Sequence, residues 1–383
     1  MSATGHSSAV SPAMDGRKPV KATGLVGAWL IAGVLLAACG GSASVGQPAS
    51  SVAAQSLAPT SAPSAAAGQS AAPVPSAAKP APSAATSSAP SAALKLGFSQ
   101  VGVGYAPLFI AKDAGFFSKN GLNVTLQQVN GPAAVPALLA DEVQVDGLGA
   151  NELSRAVLAG APLIALATLG DVPVFMLYAD KKYKTIQDLV GQSIGVTALG
   201  SSTDVTARLF LDHYGLLGKV NIVPAGGTTQ TVLAALTQGV VAAVIVSPDA
   251  GVQAAKAGAV PIVEGLKLGV PLNFSVIAVK TTYIKDHPDT IKAFLKAYQQ
   301  NWTYLGDPAN KAAVVDLLVR DVQAPAETIE VGYASWSQVW SGQKIPTINP
   351  EGITNTLKFA DDAKAKTAKG EQFIDNSILQ SIQ

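Results

Sequence analysis

Residues 95–126 have the sequence KLGFSQVGVGYAPLFIAKDAGFFSKNGLNVTL, which predicts one strand–loop–helix–strand unit. The strands are expected at residues 95–99 and 124–129, and the helix at residues 107–119. Glycine and polar residues separate the first strand from the helix, as in a loop that turns the chain. A strand that returns through a helix to a second strand predicts parallel pairing in a sheet covered by helices.

The same alternation continues as far as Lys280. Further strands are predicted at residues 145–148, 163–169, 175–179, 193–197, 221–224, 242–247, 261–264 and 275–280, and helices at residues 151–159, 202–214, 229–237 and 249–257. Beyond Lys280 the apolar residues follow helical spacing instead, and Tyr333, Trp336 and Trp340 are expected to pack in the core. The sequence therefore predicts an α/β fold with a helical carboxyl-terminal part.

The amino terminus has the pattern of a secretory signal peptide, which we place at residues 1–38. Arg17, Lys18 and Lys21 precede the uncharged apolar stretch LVGAWLIAGVLLAA at residues 25–38. A basic region, a short apolar run and small residues are typical of a signal peptide, and a bilayer-spanning helix needs about 20 residues. Met14, just before the basic residues, is an alternative to Met1 as the start of translation.

The residues LAACG at positions 36–40 resemble the bacterial lipobox. That resemblance implies that Cys39 carries a lipid and becomes the first residue of the mature protein, which the acyl chains hold at the membrane. Residues 39–93 consist mainly of alanine, serine and proline and are expected to form a disordered tether, because they have too little apolar bulk to fold.

The composition argues against several classes of function. The formal net charge is +1, which gives no electrostatic support for binding nucleic acid. Cys39 is the single cysteine, and His213 and His287 lie in structural contexts away from the predicted loops. We therefore expect no catalytic residues, no metal site and no cofactor.

Several segments together resemble the nitrate/sulfonate/taurine group of ABC solute-binding proteins, which includes the NMT1/THI5-like binders. Besides residues 95–126 they are VDGLGANELSRAVLAGAPL, TIQDLVGQSIGVTALGSSTDVTARLFLDHYGL, PAGGTTQTVLAALTQGVVAAVIVSPDAG and FSVIAVKTTYIKDHPDTIKAFLKAY. The resemblance implies a periplasmic-binding-protein fold of type II, in which two lobes with mainly parallel sheets are joined by two crossing strands. The crossings would lie near residues 177–180 and 273–277. Lobe I would comprise residues 94–178 and 277–383, and lobe II residues 179–276.

The strand-end loops supply the candidate ligand-binding residues, because open α/β sheets place their sites there. They are Ser99, Gln100, Tyr105, Asn151, Ser201, Ser202, Thr203, Thr228, Asp249 and Phe274. Each has a structural alternative. Tyr105 and Phe274 either contact a ligand or pack inside the fold, and Asn151 is either a helix cap or a ligand amide. Ser201 has capping-box spacing to Asp204, which leaves Ser202 and Thr203 as the better candidates for contact.

Charge gives one clue to the ligand. The predicted cleft loops contain the acids Glu152, Asp171, Asp204 and Asp249, and the nearest cations are Arg155 and Arg208, one turn into their helices. A fully charged nitrate or sulfonate usually recruits a guanidinium. The residues therefore favour a neutral or weakly basic heterocycle, or an organic acid held by backbone amides.

The resemblance implies an extracytoplasmic receptor of an ABC importer that closes over a small molecule. Its expected partners are that molecule (a thiamine-precursor-like heterocycle, a sulfonate such as taurine, or a related small organic acid), the ABC permease and, through the lipid, the membrane. We expect a monomer. A lyase-type enzyme that shares the fold and a structural surface lipoprotein remain the alternatives.

Overall fold

The computed structural model describes residues 92–129, 131–360 and 362–382. The predicted signal peptide, Cys39 and most of the predicted tether lie outside these residues. Ten strands are present: β1 Ala92–Phe98, β2 Leu122–Gln128, β3 Val145–Gly149, β4 Leu163–Thr168, β5 Met176–Asp180, β6 Ser193–Val196, β7 Asn221–Pro224, β8 Ala243–Val246, β9 Ala259–Glu264 and β10 Ser275–Lys280.

Helices connect the strands and make up most of the chain after β10. They are α1 Ala106–Asp113, α2 Phe116–Lys119, α3 Gly131–Leu139, α4 Ala150–Leu158, α5 Ser202–His213, α6 Thr229–Thr237, α7 Pro248–Lys256, α8 Thr281–Asp286, α9 Pro288–Gly306, α10 Lys311–Val322, α11 Ala326–Gly342, α12 Pro350–Leu357 and α13 Ser377–Ser381. The helix predicted at residues 107–119 is divided into α1 and α2, because Gly115 takes a left-handed φ of 77°. No helix in the described part of the chain has the length and apolar character needed to span a membrane.

The strands form two sheets of the same design. The first has the order β2-β1-β3-β10-β4 and the second β7-β6-β8-β5-β9. In each sheet three strands pair in parallel, while β10 and β5 are inserted antiparallel to their neighbours. The expected two-lobed α/β fold is confirmed, and we call each sheet with its packed helices a lobe. The expectation of mainly parallel sheets is confirmed: in each sheet four of the five strands run in the same direction, and one strand, β10 or β5, runs opposite to them.

The chain passes between the sheets twice, at residues 169–175 and 269–274. These two segments lie side by side, with the amide of Leu272 donating to Asp171 O (2.9 Å) and that of Phe274 donating to Gly170 O (3.0 Å). Both crossings come earlier than predicted. The predicted boundary between residues 178 and 179 falls inside β5, and that between 276 and 277 inside β10, although both strands pair within one sheet along their length.

The first strand also begins earlier than the composition suggested. Ala92 and Ala93, which we had assigned to the tether, pair with Leu122 and Asn123 of β2. Backbone pairing does not depend on side-chain bulk, so an alanine-rich sequence continues the strand when a partner is present.

The hydrophobic core runs through both lobes. One cluster of buried residues contains Leu96 of β1, Ile194 of β6 and the aromatic residues Phe175 and Phe274 of the crossings. The helical carboxyl-terminal part packs mainly on the first lobe, and α11 contacts both α9 and, across the cleft, α7 of the second lobe. Tyr333, Trp336 and Trp340 of α11 are buried as predicted. The crossings therefore join the two cores as well as the two sheets.

Candidate functional site

A cleft of about 770 Å³ lies between the lobes. It is bounded by the loops that follow β1, β3, β6, β7 and β8, which leave the carboxyl ends of the parallel strands in both sheets. A second cavity of about 290 Å³ adjoins it and extends towards α10 and α11. The two cavities share Tyr105, Phe175 and Phe274, which stand between them. Strand-end loops from both sheets thus face one cleft, which is where open α/β folds place their binding sites.

Most of the predicted contact residues line this cleft. Those on the wall of the larger cavity are Ser99, Gln100, Tyr105, Ser201, Ser202, Thr203, Thr228 and Phe274. Asp249 lies on the wall of the second cavity. Asn151 borders only a small cavity of about 10 Å³ beside the crossings. The prediction of ligand contact by these residues remains a prediction.

Three hydroxyl groups meet at the floor of the cleft in the first lobe. Tyr105 Oη is hydrogen-bonded to Ser99 Oγ and to Ser275 Oγ, the latter at 3.3 Å. Burial raises the pKa of Tyr105 to about 12, so the phenol stays neutral and keeps its proton for donation. The hydroxyls therefore form a fixed polar patch where β1 ends and β10 begins.

Aromatic rings form the wall between the two cavities. The Phe274 ring centroid lies 5.9 Å from that of Tyr105 and 5.3 Å from those of Phe175 and Trp336. Trp336 fits between the chain segments because Gly104 and Gly170 carry no Cβ, which would approach the indole within 3 Å. Phe274 consequently fills the junction of the crossings and faces the cleft at the same time.

In the second lobe, the loop before α5 uses most of its hydroxyls internally. Ser201 Oγ caps the helix by accepting from the amide of Asp204, as predicted, and Thr203 Oγ1 accepts from the amide of Thr197 (3.0 Å). The carboxylate of Asp204 accepts from the amide of Gly200 (2.8 Å) and pairs with Arg208 (3.0 Å). Neither member of that ion pair lines the cleft. Ser202, the first residue of α5, differs from Ser201 and Thr203: among the described contacts its hydroxyl makes no hydrogen bond to this loop.

Asn151 contacts the opposite lobe instead of capping its own helix. Its side-chain Nδ2 donates to the carbonyl oxygen of Gly200, and the N-cap position of α4 is occupied by Gly149. The Asn151 side chain is buried, with 8% of its surface exposed. The residue therefore holds the two lobes together at the rim of the cleft.

Two charged residues that were not among the predicted ligand contacts also line the cleft. Glu152 and Arg155 of α4 line the cleft, together with Gln128, Phe175, Thr197, Thr229, Gln230, Ser247 and Ser275. Burial raises the pKa of Glu152, and the positive charge of Arg155 opposes that rise. Glu152 lies three residues after the end of β3, in a segment that the sequence already predicts as a cleft loop, and that position was the signal that could have identified it as a contact.

A metal site has no support in the geometry. Among residues 92–129, 131–360 and 362–382, no three His, Cys, Asp or Glu side chains are grouped in a way that could hold an ion. The lining of the cleft includes hydroxyls, amides, aromatic and aliphatic groups, two carboxylates and the guanidinium of Arg155, which are groups suited to holding an organic molecule by hydrogen bonds and apolar contacts.

Comparison with models of known protein families assigns the chain to a family. The sequence model described as NMT1/THI5 like matches residues 103–311, which is more than half of the 383 residues. The chain is a member of the NMT1/THI5-like family. The matched segment contains both crossings and all the strand-end loops of the cleft except the beginning of the loop after β1.

Solved structures share the fold of this NMT1/THI5-like protein. The ligand-binding component of an ABC-type import system from Staphylococcus aureus, solved with zinc bound, has a TM-score of 0.62 at 15% identity and covers 76% of this chain and 99% of its own. The aliphatic sulphonate binding protein of Escherichia coli has a TM-score of 0.60 at 18% identity, and the alignment covers 76% of this chain and 99% of the Escherichia coli chain.

The nitrate-binding protein of Synechocystis PCC 6803 has a TM-score of 0.60 at 14% identity and covers 76% of this chain and 88% of its own. At these identities the likeness concerns the fold. A comparison of this NMT1/THI5-like protein with curated protein sequences finds no significant match.

Proposed function

We propose that this protein is the extracytoplasmic solute-binding component of an ABC importer, which captures a small organic molecule between its lobes and presents it to a permease. The observation that carries the proposal is the single cleft lined by strand-end loops from both sheets. Three structural neighbours support the proposal at the level of the fold. They are named as the ligand-binding component of an ABC-type import system, an aliphatic sulphonate binding protein and a nitrate-binding protein.

Closure of the lobes is the mechanism that we propose. Two ion pairs at the surface join the lobes, Lys256 with Glu327 and Lys358 with Asp212 at 2.6 Å, in addition to the hydrogen bond from Asn151 to Gly200. Exposed ion pairs contribute about 0–1 kcal/mol each, so these two pairs add little to the stability of the closed arrangement. A ligand that touches both lobes adds binding free energy to the closed arrangement only, and the permease then recognises that arrangement.

The first test identifies the ligand and then measures its effect. Native mass spectrometry of the freshly purified protein reveals any molecule that it carries. When that molecule is added to stripped protein at a hundredfold excess over its Kd, we expect the free energy of unfolding to rise by about 2.7 kcal/mol. We also expect the radius of gyration to fall in small-angle scattering. A tightly bound molecule that changes neither quantity would contradict closure.

We also propose that the protein is anchored to the membrane through Cys39. The support is the basic and apolar pattern of residues 17–38 and the lipobox-like sequence that ends at that cysteine. We expect the mass of the membrane-extracted protein to correspond to a chain that begins at Cys39 and carries acyl groups, and Cys39→Ser to remain unacylated. An intact, unacylated chain that begins at Met1 or Met14 in the membrane fraction would refute the anchor.

The proposed role requires no chemistry on the bound molecule. The phenol of Tyr105 holds its proton to about pH 12, and neither His213 nor His287 lines the cavities. Binding and release are therefore the complete function that we assign to the cleft, with a monomer, the ligand and the permease as the participants.

A further inference from the structure

The carboxylate of Glu152 occupies an unusual position at the floor of the cleft. It folds back over Gly149 at the end of β3, where a Cβ on the glycine would overlap its Oε2. Oε2 is buried and has no hydrogen-bond partner among the described residues. An acceptor left unpaired in this way costs about 1–3 kcal/mol, and more when it is charged. The protein therefore buries an unpaired acceptor on a residue that lines the cleft, at a cost in free energy that a bound molecule can offset.

The adjoining cavity also has a lining residue with an unpaired carboxylate oxygen, and this residue belongs to the second lobe. Asp249, in the first turn of α7, has a buried Oδ1 without a partner within the described part of the chain. Burial raises the pKa of this carboxyl as well. Each compartment of the cleft thus contains one unpaired carboxylate oxygen, and one comes from each lobe.

Positive charge does not balance these acids inside the cleft. Of the described residues that line the two cavities, Arg155 is the one cation, and its side chain is exposed at the rim against Gly200. An anionic ligand would bring a further negative charge beside Glu152 with no buried guanidinium or ammonium to oppose it. A ligand with a positively charged N–H group would instead pair with the unpartnered oxygen.

We infer that the ligand of this cleft is an organic cation, whose ammonium or amidinium group binds Glu152 and whose body packs against Tyr105, Phe175 and Phe274. The inference rests on the proposed function and specifies the class of molecule that the receptor takes. Aromatic rings suit such a ligand, because their faces attract cations and their surfaces cover flat or aliphatic groups. The hydroxyls of Ser99 and Ser275 supply further hydrogen bonds around the same position.

Three probes of nearly identical shape test the charge of the preferred ligand. Benzamidinium is a cation, benzamide is neutral and benzoate is an anion. At neutral pH, calorimetric titration is expected to show benzamidinium bound about tenfold or more tightly than either of the others. Tighter binding of benzoate, equal binding of the three, or binding of none of them would each overturn the inference.

Glu152→Gln and Glu142→Gln provide the matched pair of variants. Both replace a carboxylate by an amide in the first lobe, but Glu142 is exposed and outside both cavities. We expect Glu152→Gln to weaken benzamidinium binding about tenfold or more and to leave benzamide binding nearly unchanged, while Glu142→Gln alters neither. Unchanged benzamidinium affinity in Glu152→Gln would overturn the role of this residue.

Failure of this inference can be distinguished from failure of the proposed function. If the carried molecule identified by mass spectrometry is an anion and still compacts the protein, the receptor function stands and the cation inference fails. If no molecule compacts or stabilises the protein, the receptor function itself fails.

Discussion

The Phe274→Ala variant is expected to lose about 3–5 kcal/mol of its free energy of unfolding, the usual cost of removing a buried phenylalanine ring. The ring is 6% exposed and lies against Tyr105, Phe175 and Trp336. Its position in the second crossing makes it part of the core cluster that runs through both lobes. Truncation therefore leaves a cavity at the junction of the lobes, where two backbone segments limit how far the surroundings can collapse.

Urea unfolding of Phe274→Ala, Phe274→Leu and Tyr214→Ala checks this prediction. Leucine keeps much of the volume, so Phe274→Leu is expected to lose less than Phe274→Ala. Tyr214 is 38% exposed at the end of α5, so its truncation should cost clearly less than that of Phe274. Equal losses in Phe274→Ala and Tyr214→Ala would show that the aromatic cluster does not stabilise the junction.

The strands were predictable because a buried strand in an α/β fold is a short apolar run between turn signals. Their order was not. β10 pairs with β3 and β4, although the whole second lobe lies between them in the sequence. β5 is the first strand of the second sheet in the sequence, but it lies between β8 and β9 in that sheet. Periodicity within a segment does not indicate which distant strand will pair with it. The antiparallel positions of β5 and β10 and the exact crossings therefore could not be derived from the sequence.

The site was predictable at the level of loops and less so for individual side chains. Hydroxyl- and glycine-rich loops at strand ends identified the walls of the cleft, including Ser99, Tyr105 and Ser202. Of the two alternatives for Asn151, capping of α4 is wrong, because Gly149 occupies the N-cap and the Asn151 amide donates to Gly200 in the other lobe; ligand contact stays a prediction. For Glu152 the sequence predicts an acid in a cleft loop and does not indicate a ligand contact. Its direction depends on how α4 leaves β3, which sequence spacing does not determine.

Asp146 has the most unfavourable surroundings of any carboxyl group in the described part of the sheets. It lies in β3 between Gly97 of β1 and Ala278 of β10, with none of its surface exposed. Both carboxylate oxygens are buried without a hydrogen-bond partner among the described residues. A Cβ on Gly97 would overlap the carboxylate, so the strand pairing depends on that glycine. Burial raises the pKa of Asp146 to about 7 from an ordinary 3.8.

The raised pKa predicts that stability falls as the pH rises. Between about pH 4 and pH 7 the unfolded chain has released this proton while the folded protein retains it, so the folded state binds more protons and loses stability with each step upward. The rise from 3.8 to about 7, at 1.36 kcal/mol for each pKa unit, corresponds to about 4 kcal/mol, and the loss is complete above pH 7.

Asp146→Asn removes the ionisation and keeps the size of the side chain. We expect the free energy of unfolding of Asp146→Asn, measured by urea denaturation relative to the unsubstituted protein, to increase as the pH is raised from about 4.5 to about 8, by most of that 4 kcal/mol. Asp316→Asn, at an exposed position in α10, is the matched control and should show no such trend. A difference between Asp146→Asn and the unsubstituted protein that stays constant over this range would mean that Asp146 is ionised in the folded state, and that an interaction in the sheet compensates its buried charge.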